Sequence, residues 1–170
     1  MHRSRVFDVE RFRYRDAAGR EISKDVVRHP GAITVIPVDA DGRILMVEVG
    51  RLAVRRFLRE FCAGKLEPGE DPRAAAGREL EEETGRRAAR IEPLGSYFTS
   101  PGFCDERMHA FVARDLTEVP QRLEPGEEIR VVSLEPAEID RQIRSGDIDD
   151  GKSIAAWHLF KAGISAEGMS

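Results

Sequence analysis

Apolar and polar positions in the first third of the chain follow the two-residue period of strands. Val6–Tyr14 alternates in part, Asp16–Arg20 with Gly19 makes a polar turn, and Ile22–Arg28 alternates again. Ala32–Val38 and Ile44–Val49 are apolar runs rich in Val and Ile. Between them stands Asp39-Ala40-Asp41-Gly42, whose Asp-Gly pair is a hairpin signal. Arg51–Arg59 carries four arginines, and Glu60–Glu67 reads as a further short strand.

The period then changes. Asp71-Pro72 offers an N-cap followed by Pro at the first helical position. Strong helix formers continue to Thr84, and Gly85 stands where a left-handed C-terminal cap belongs. Strand patterns return at Ala88–Phe98, Met108–Ala113 and Ile129–Leu134, separated by the loops Thr99–Glu106 and Thr117–Glu128. Pro136–Arg144 and Ile154–Ala162 read as amphipathic helices. This order predicts an α+β fold with a mixed sheet, since the regular βαβ alternation of a doubly wound fold is missing.

Composition narrows the function. A chain of 170 residues suits one domain with a real core. No apolar run approaches the roughly 20 residues of a membrane helix, and the start MHRSRVFDVERFRYR has no apolar signal region. A cytoplasmic protein with no membrane partner is therefore expected. The formal charge of −4 argues against nucleic acid as a partner, but leaves room for a compact anion held by arginines or metal ions. Cys62 and Cys104, two thiols without close ligand spacing, make neither a zinc site nor a disulfide framework and read as reduced structural thiols. The four histidines, His2, His29, His109 and His158, show no ligand spacing.

Candidate chemistry gathers on the predicted helix. Glu79, Glu81, Glu82 and Glu83 crowd within five positions. At about 100° per residue, Glu79 and Glu83 lie about 40° apart and Glu82 about 60° to the other side, so three carboxylates share a face. Glu81 points away, and Ala76 with Leu80 marks the face that packs on a sheet. Like charges at this spacing oppose the helix, as does the macrodipole at its C-terminal half. A hard divalent cation such as Mg²⁺ would relieve both. A solvated charged face with Arg78, Arg86 and Arg87 as partners is the plainer alternative. The glycine-bearing stretch Ala63-Gly64-Lys65-Leu66-Glu67-Pro68-Gly69-Glu70 favours the metal reading, because it leads as a strand and loop straight into the capped helix.

From Gly64 the order Gly, five residues, Glu70, seven residues, Arg78-Glu79-Leu80, one residue, Glu82-Glu83, one residue, Gly85 resembles the Nudix box. That box is the strand–loop–helix signature of hydrolases that cleave nucleoside diphosphates linked to another moiety. The one departure is Arg86, where the pattern has an aliphatic residue. The resemblance implies a Nudix-like α/β/α sandwich with a mixed sheet, preceded by N-terminal antiparallel strands, in one domain over residues 1–170. It implies Mg²⁺ or Mn²⁺ held by Glu79 and Glu83, with Glu82 and the Ala63 carbonyl assisting. Arg78 would orient the glutamates, Glu70 would tie the loop to the helix, and Gly64 and Gly85 would be structural.

Further segments are similar to the ADP-ribose pyrophosphatase subgroup. Pro101 stands sixteen positions past Gly85 in Ser100-Pro101-Gly102-Phe103, also an ordinary turn sequence. In LMVEVGRLAVRRFLRE, residues 45–60, Arg51 matches the subgroup's nucleotide-contacting arginine and Glu60 the glutamate at the adenine end, with Arg55, Arg56 and Arg59 as helpers. Glu127, with Glu128 next, matches the glutamate that orients the attacking water, on a loop at 124–128 expected to close on substrate. The implied substrate is a nucleoside diphosphate sugar, foremost ADP-ribose. GDP-mannose, an NADH-like dinucleotide and a damaged nucleotide remain alternatives, as does a non-catalytic nucleotide-sensing module. The resemblance also implies a homodimer built on the strands of residues 1–30, with 31–170 as catalytic core.

Overall fold

A computed structural model describes residues 2–3, 7–123 and 125–167. Val6, at the start of the first predicted strand, and Glu124, at the start of the predicted closing loop, lie outside them. Strands β1 (His2–Arg3), β2 (Asp8–Arg15) and β3 (Glu21–Arg28) form an N-terminal antiparallel sheet. Its β2–β3 turn closes because Asp16 accepts from the amides of Ala18 and Arg20, both at 2.9 Å. Then follow β4 (Ala32–Pro37), β5 (Ile44–Arg51), β6 (Arg56–Glu60), β7 (Cys62–Lys65) and helix α1 (Pro72–Thr84). The chain continues with β8 (Arg86–Phe98), β9 (Arg107–Glu118), β10 (Ile129–Leu134), α2 (Pro136–Ser145) and α3 (Gly151–Glu167).

Strand β4 explains its own composition. Every residue of it is buried, because it lies inside a four-stranded sheet of order β7-β4-β9-β8. It pairs antiparallel with β7 and parallel with β9, so the sheet is mixed as predicted. Buried on both faces, it has no call for alternation. Ile33 and Val35 face α1, where Ala75, Ala76 and Leu80 close a core with Cys62, Phe111 and Ala113. Ile36 faces the opposite layer, with Ile139 of α2 and Trp157 and Phe160 of α3. Helix, sheet and helix thus make three layers. A second antiparallel sheet, β10-β5-β6, stands beside them.

Three segments depart from the sequence pattern. Glu60–Glu67 is not one strand. The chain leaves the β5–β6 sheet at Glu60 and joins the β4 sheet at Cys62, turning at Phe61, which is fully buried. Strand β9 runs on past Ala113 to Glu118, pairing there with β8 alone, so its polar end hides the strand signal. Helix α3 starts before Ile154, because Asp150 accepts from the Ser153 amide at 3.0 Å and caps the first turn. No helix among the described residues is long and apolar enough to cross a membrane.

Candidate active site

Helix α1 begins and ends where its sequence dictates. Asp71 is extended and accepts from the amides of Arg73 and Ala74, Pro72 opens the helix, and Gly85 ends it in the left-handed region at φ 64°. A side chain at Gly85 would also meet the Val119 carbonyl at 2.9 Å. These limits orient the glutamate face. Leu80 is buried against the sheet, whereas Glu81 turns outward to Arg87 and Arg122.

Arg78 organises the inward carboxylates. Its guanidinium donates to Glu79 at 2.8 Å, to Glu82 at 3.0 Å and to both oxygens of Glu70 at 3.0 and 3.1 Å. Glu70 in turn accepts from the Glu67 amide at 2.9 Å, which fastens the loop to the helix. Glu83 points at β7, where it accepts from the Ala63 amide at 3.2 Å and from the Cys62 thiol. Gly64 is next to it for a steric reason. A Cβ there would stand 1.9 Å from the Glu79 Oε1 atom.

Burial sets the electrostatics. It raises the Glu83 carboxyl to about 7, with Ala63 and Cys62 opposing and the charges of Glu79 and Glu127 adding to the rise. Glu79 is also raised, by burial first, with Arg78 opposing. Among the described residues no three His, Cys, Asp or Glu side chains stand gathered as a finished metal cage. The donor set still suits a hard divalent cation. Three carboxylates share one helix face, two of them are costly to ionise alone, and the strand beside them carries no side chain at Gly64. Metal charge would offset the burial that lifts Glu79 and Glu83.

The predicted substrate residues divide into two groups. Arg51, Arg55, Arg56, Glu127 and Glu128 line one hollow of about 550 Å³ at the end of β5, beside the exposed Phe57. The negative charge of Glu83 acts on Arg51, and that of Glu127 on Glu79 and Glu83, which ties this hollow electrostatically to the carboxylates. Glu60 lies under it with 1% of its surface exposed. Its carboxylate accepts from Arg51 Nε at 2.8 Å and Nη2 at 2.6 Å, and also from Lys152. Burial alone would raise Glu60, but Arg51 and Lys152 outweigh it and hold it below the usual carboxylate range. Arg56 further pairs with Asp149.

The other group is placed elsewhere. Arg59, next to Glu60 on β6, faces the opposite side of its sheet, where it pairs with Glu48 and Gln142. A larger hollow of about 790 Å³ opens there, lined by Glu48, Arg59 and Gln142, and it shares Phe57 and Glu128 with the first. Pro101, Gly102 and Phe103 form an exposed turn docked on the N-terminal sheet. The Val27 amide donates to the Phe103 carbonyl at 2.7 Å, and Arg28 pairs with Asp105 at 2.8 Å. Sequence reasoning missed Lys152, Asp150, Ser153 and the Cys62 thiol. Asp150-x-x-Ser153 is a legible helix start, but nothing periodic marks Lys152 as Glu60's partner.

Comparison with known proteins matches this geometry. The NUDIX domain family matches residues 27–157. The chain is 39% identical over 142 residues to the ADP-ribose pyrophosphatase of Bacillus subtilis strain 168, spanning 81% of this chain and 76% of that one. It is 41% identical over 140 residues to the methanol dehydrogenase activator of Bacillus methanolicus, with the same coverage of 81% and 76%. A crystal structure described as an ADP compounds hydrolase superposes with a TM-score of 0.87, over 100% of this chain and 92% of that one, and at 22% identity it speaks for the fold. A glycine-flanked glutamate helix on this scaffold, within a family match spanning most of the sequence, means that the chain belongs to the Nudix hydrolase family.

Proposed function

We propose that the protein hydrolyses the diphosphate bond of a nucleoside diphosphate sugar, with ADP-ribose as preferred substrate and AMP and ribose 5-phosphate as products. The observation that carries this reading is the pair of carboxylates on one helix face, buried Glu83 and half-buried Glu79, whose charges act on Glu127 and Arg51 of the neighbouring hollow. A relative named for ADP-ribose supports the choice of substrate.

Glu79 and Glu83, with Glu82 and the Ala63 carbonyl, would hold Mg²⁺ or Mn²⁺. When bound, the cation supplies charge neutralisation on the phosphoryl oxygens and makes water easier to deprotonate. Arg78 keeps the carboxylates aligned through its bonds to Glu70, Glu79 and Glu82. Arg51 offers a guanidinium, anchored from behind by Glu60, to the diphosphate. Arg56 contacts the rest of the substrate, and the Pro101-Gly102-Phe103 turn, which lies away from this hollow, would reach it from the second copy in the homodimer. Glu127, with Glu128 beside it, accepts the proton of the attacking water at its carboxylate. The water oxygen bonds to one phosphorus, the bridging P–O bond breaks, and the other phosphate leaves as a monoester. Residues 31–170 act as the catalytic core, and the strands of residues 1–30 serve a homodimer, which sedimentation at several concentrations tests: a monomer throughout overturns it.

Hydrolysis of ADP-ribose in ¹⁸O-labelled water tests the activity and substrate together. AMP and ribose 5-phosphate in equal amounts, one of them carrying the label, are expected. No turnover of ADP-ribose alongside turnover of GDP-mannose or an NADH-like dinucleotide would reassign the substrate. No turnover of any of them with Mg²⁺ or Mn²⁺ would overturn the reading.

A further inference from the structure

The Glu60 carboxylate is enclosed between two cations that come from separate elements of the fold. Arg51 reaches it from the end of β5, and Lys152 reaches it from the first turn of α3. Lys152 also pairs with Asp150 at 2.9 Å, so four charges of alternating sign run Arg51–Glu60–Lys152–Asp150. The helix end that carries Lys152 is bolted to the turn that follows Glu60. The Ser153 hydroxyl accepts from the Phe61 amide at 2.8 Å and donates to Asp150 at 2.6 Å, and Ser153 is fully buried. The Tyr97 hydroxyl donates to the Lys152 carbonyl at 2.7 Å. Lys152 is therefore fixed in backbone and side chain alike.

From this arrangement we infer that Lys152 is a positioning residue, which holds Glu60 so that Glu60 presents Arg51 to the substrate diphosphate. The inference rests on the role proposed for Arg51 above. Arg51 spends Nε and Nη2 on Glu60, which leaves its Nη1 edge turned from that carboxylate, on a side chain that is 43% exposed. Both Arg51 Nη2 and Lys152 Nζ bond the same oxygen, Oε2 of Glu60. A carboxylate this buried needs its charge matched by fixed partners. Without Lys152, Arg51 becomes the sole cation bonded to Glu60 among the described residues and is drawn toward it, away from the hollow. The charges of both Glu83 and Asp150 are felt at Arg51.

The test is a cycle of Lys152→Met, Arg51→Met and the double variant, assayed by AMP release from ADP-ribose with Mg²⁺. Lys152→Met should raise KM about tenfold, the scale of one hydrogen bond to a charged group, with kcat within about threefold of the parent. Arg51→Met should raise KM as well, and adding Lys152→Met to it should change KM no further. An equal rise from Lys152→Met in both backgrounds would overturn the inference, because Lys152 would then act without Arg51. An unchanged KM in Lys152→Met beside a raised KM in Arg51→Met would overturn it too, leaving the Arg51 role intact. An unchanged KM in Arg51→Met would overturn the Arg51 role itself and the inference with it. Should Lys152→Met fail to fold, Ser153→Ala, which loosens the same helix turn from Phe61, takes its place in the cycle with the same outcomes.

Discussion

Gly64→Ala separates the chemistry of the site from the stability of the fold. A methyl group at residue 64 would lie 1.9 Å from Glu79 Oε1, 2.0 Å from Cδ and 2.6 Å from Oε2. To reach an unstrained carbon–oxygen contact the carboxylate must retreat by roughly 1–1.5 Å, and a displacement of about 1 Å at a catalytic group costs on the order of a hundredfold in rate. The fold has little reason to resist. Gly64 lies in β7 opposite Ile33, its backbone is outside the left-handed region, and the obstructed atoms are the far end of a flexible side chain. Alanine also gains roughly 0.5–1 kcal/mol in backbone entropy over glycine, which offsets part of the strain. The expected outcome is a kcat on ADP-ribose lowered about a hundredfold or more, with Tm moved by no more than about 4 °C, the shift of about 1 kcal/mol at this chain length. AMP release at saturating Mg²⁺, paired with thermal unfolding followed by circular dichroism, reads both. A near-parental kcat would refute the reasoning, since it would show that the position of the Glu79 carboxylate is irrelevant to turnover.

Other perturbations probe the remaining parts of the site. Glu83→Gln should lower kcat by about a thousandfold while stabilising the metal-free protein at neutral pH. The sign follows from the raised carboxyl: its stabilisation is whole below the ordinary value near 4.5 and is lost as pH rises through about 7, a span worth about 3 kcal/mol. Urea unfolding in a chelator at pH 5 and pH 8 should therefore show a drop in the parent that Glu83→Gln lacks, and an equal drop in both would count against burial as the cause. Glu127→Gln should cut kcat by about 10²–10⁴-fold with Mg²⁺ affinity retained, as befits a proton acceptor that is not a ligand. If Glu128→Gln shows the larger loss instead, the proton acceptor is Glu128.

The legible parts of this protein are those whose causes are local in sequence. Asp71, Pro72 and Gly85 carry the limits of α1 in their own backbone preferences, so helix and carboxylate face follow from spacing. Strand β4 announces itself by an apolar run interrupted only by Thr34. The switch of sheets at Phe61 is invisible because strand periodicity records which face a residue occupies, not which sheet it joins. The polar end of β9 fails for a related reason, since pairing with β8 alone asks little apolar character of Arg114–Glu118. At the site, Arg51 and Glu60 stand nine residues apart across a hairpin and were within reach of the sequence, but Lys152 is 92 residues from Glu60 and meets it only through the docking of α3. The Pro101–Phe103 turn shows the converse, a recognisable motif whose hydrogen bonds run to the N-terminal sheet.

Calorimetric titration of Mn²⁺ and Mg²⁺ into the chelator-stripped protein tests the central claim most directly, because Glu79 and Glu83 are proposed to cage divalent cations beside Gly64. Saturable uptake that is tightened by a non-hydrolysable ADP-ribose analogue, and that is lost in Glu79→Gln with Glu83→Gln, is the predicted result. Uptake that persists unchanged in that double variant, or none in the parent with or without the analogue, would contradict it.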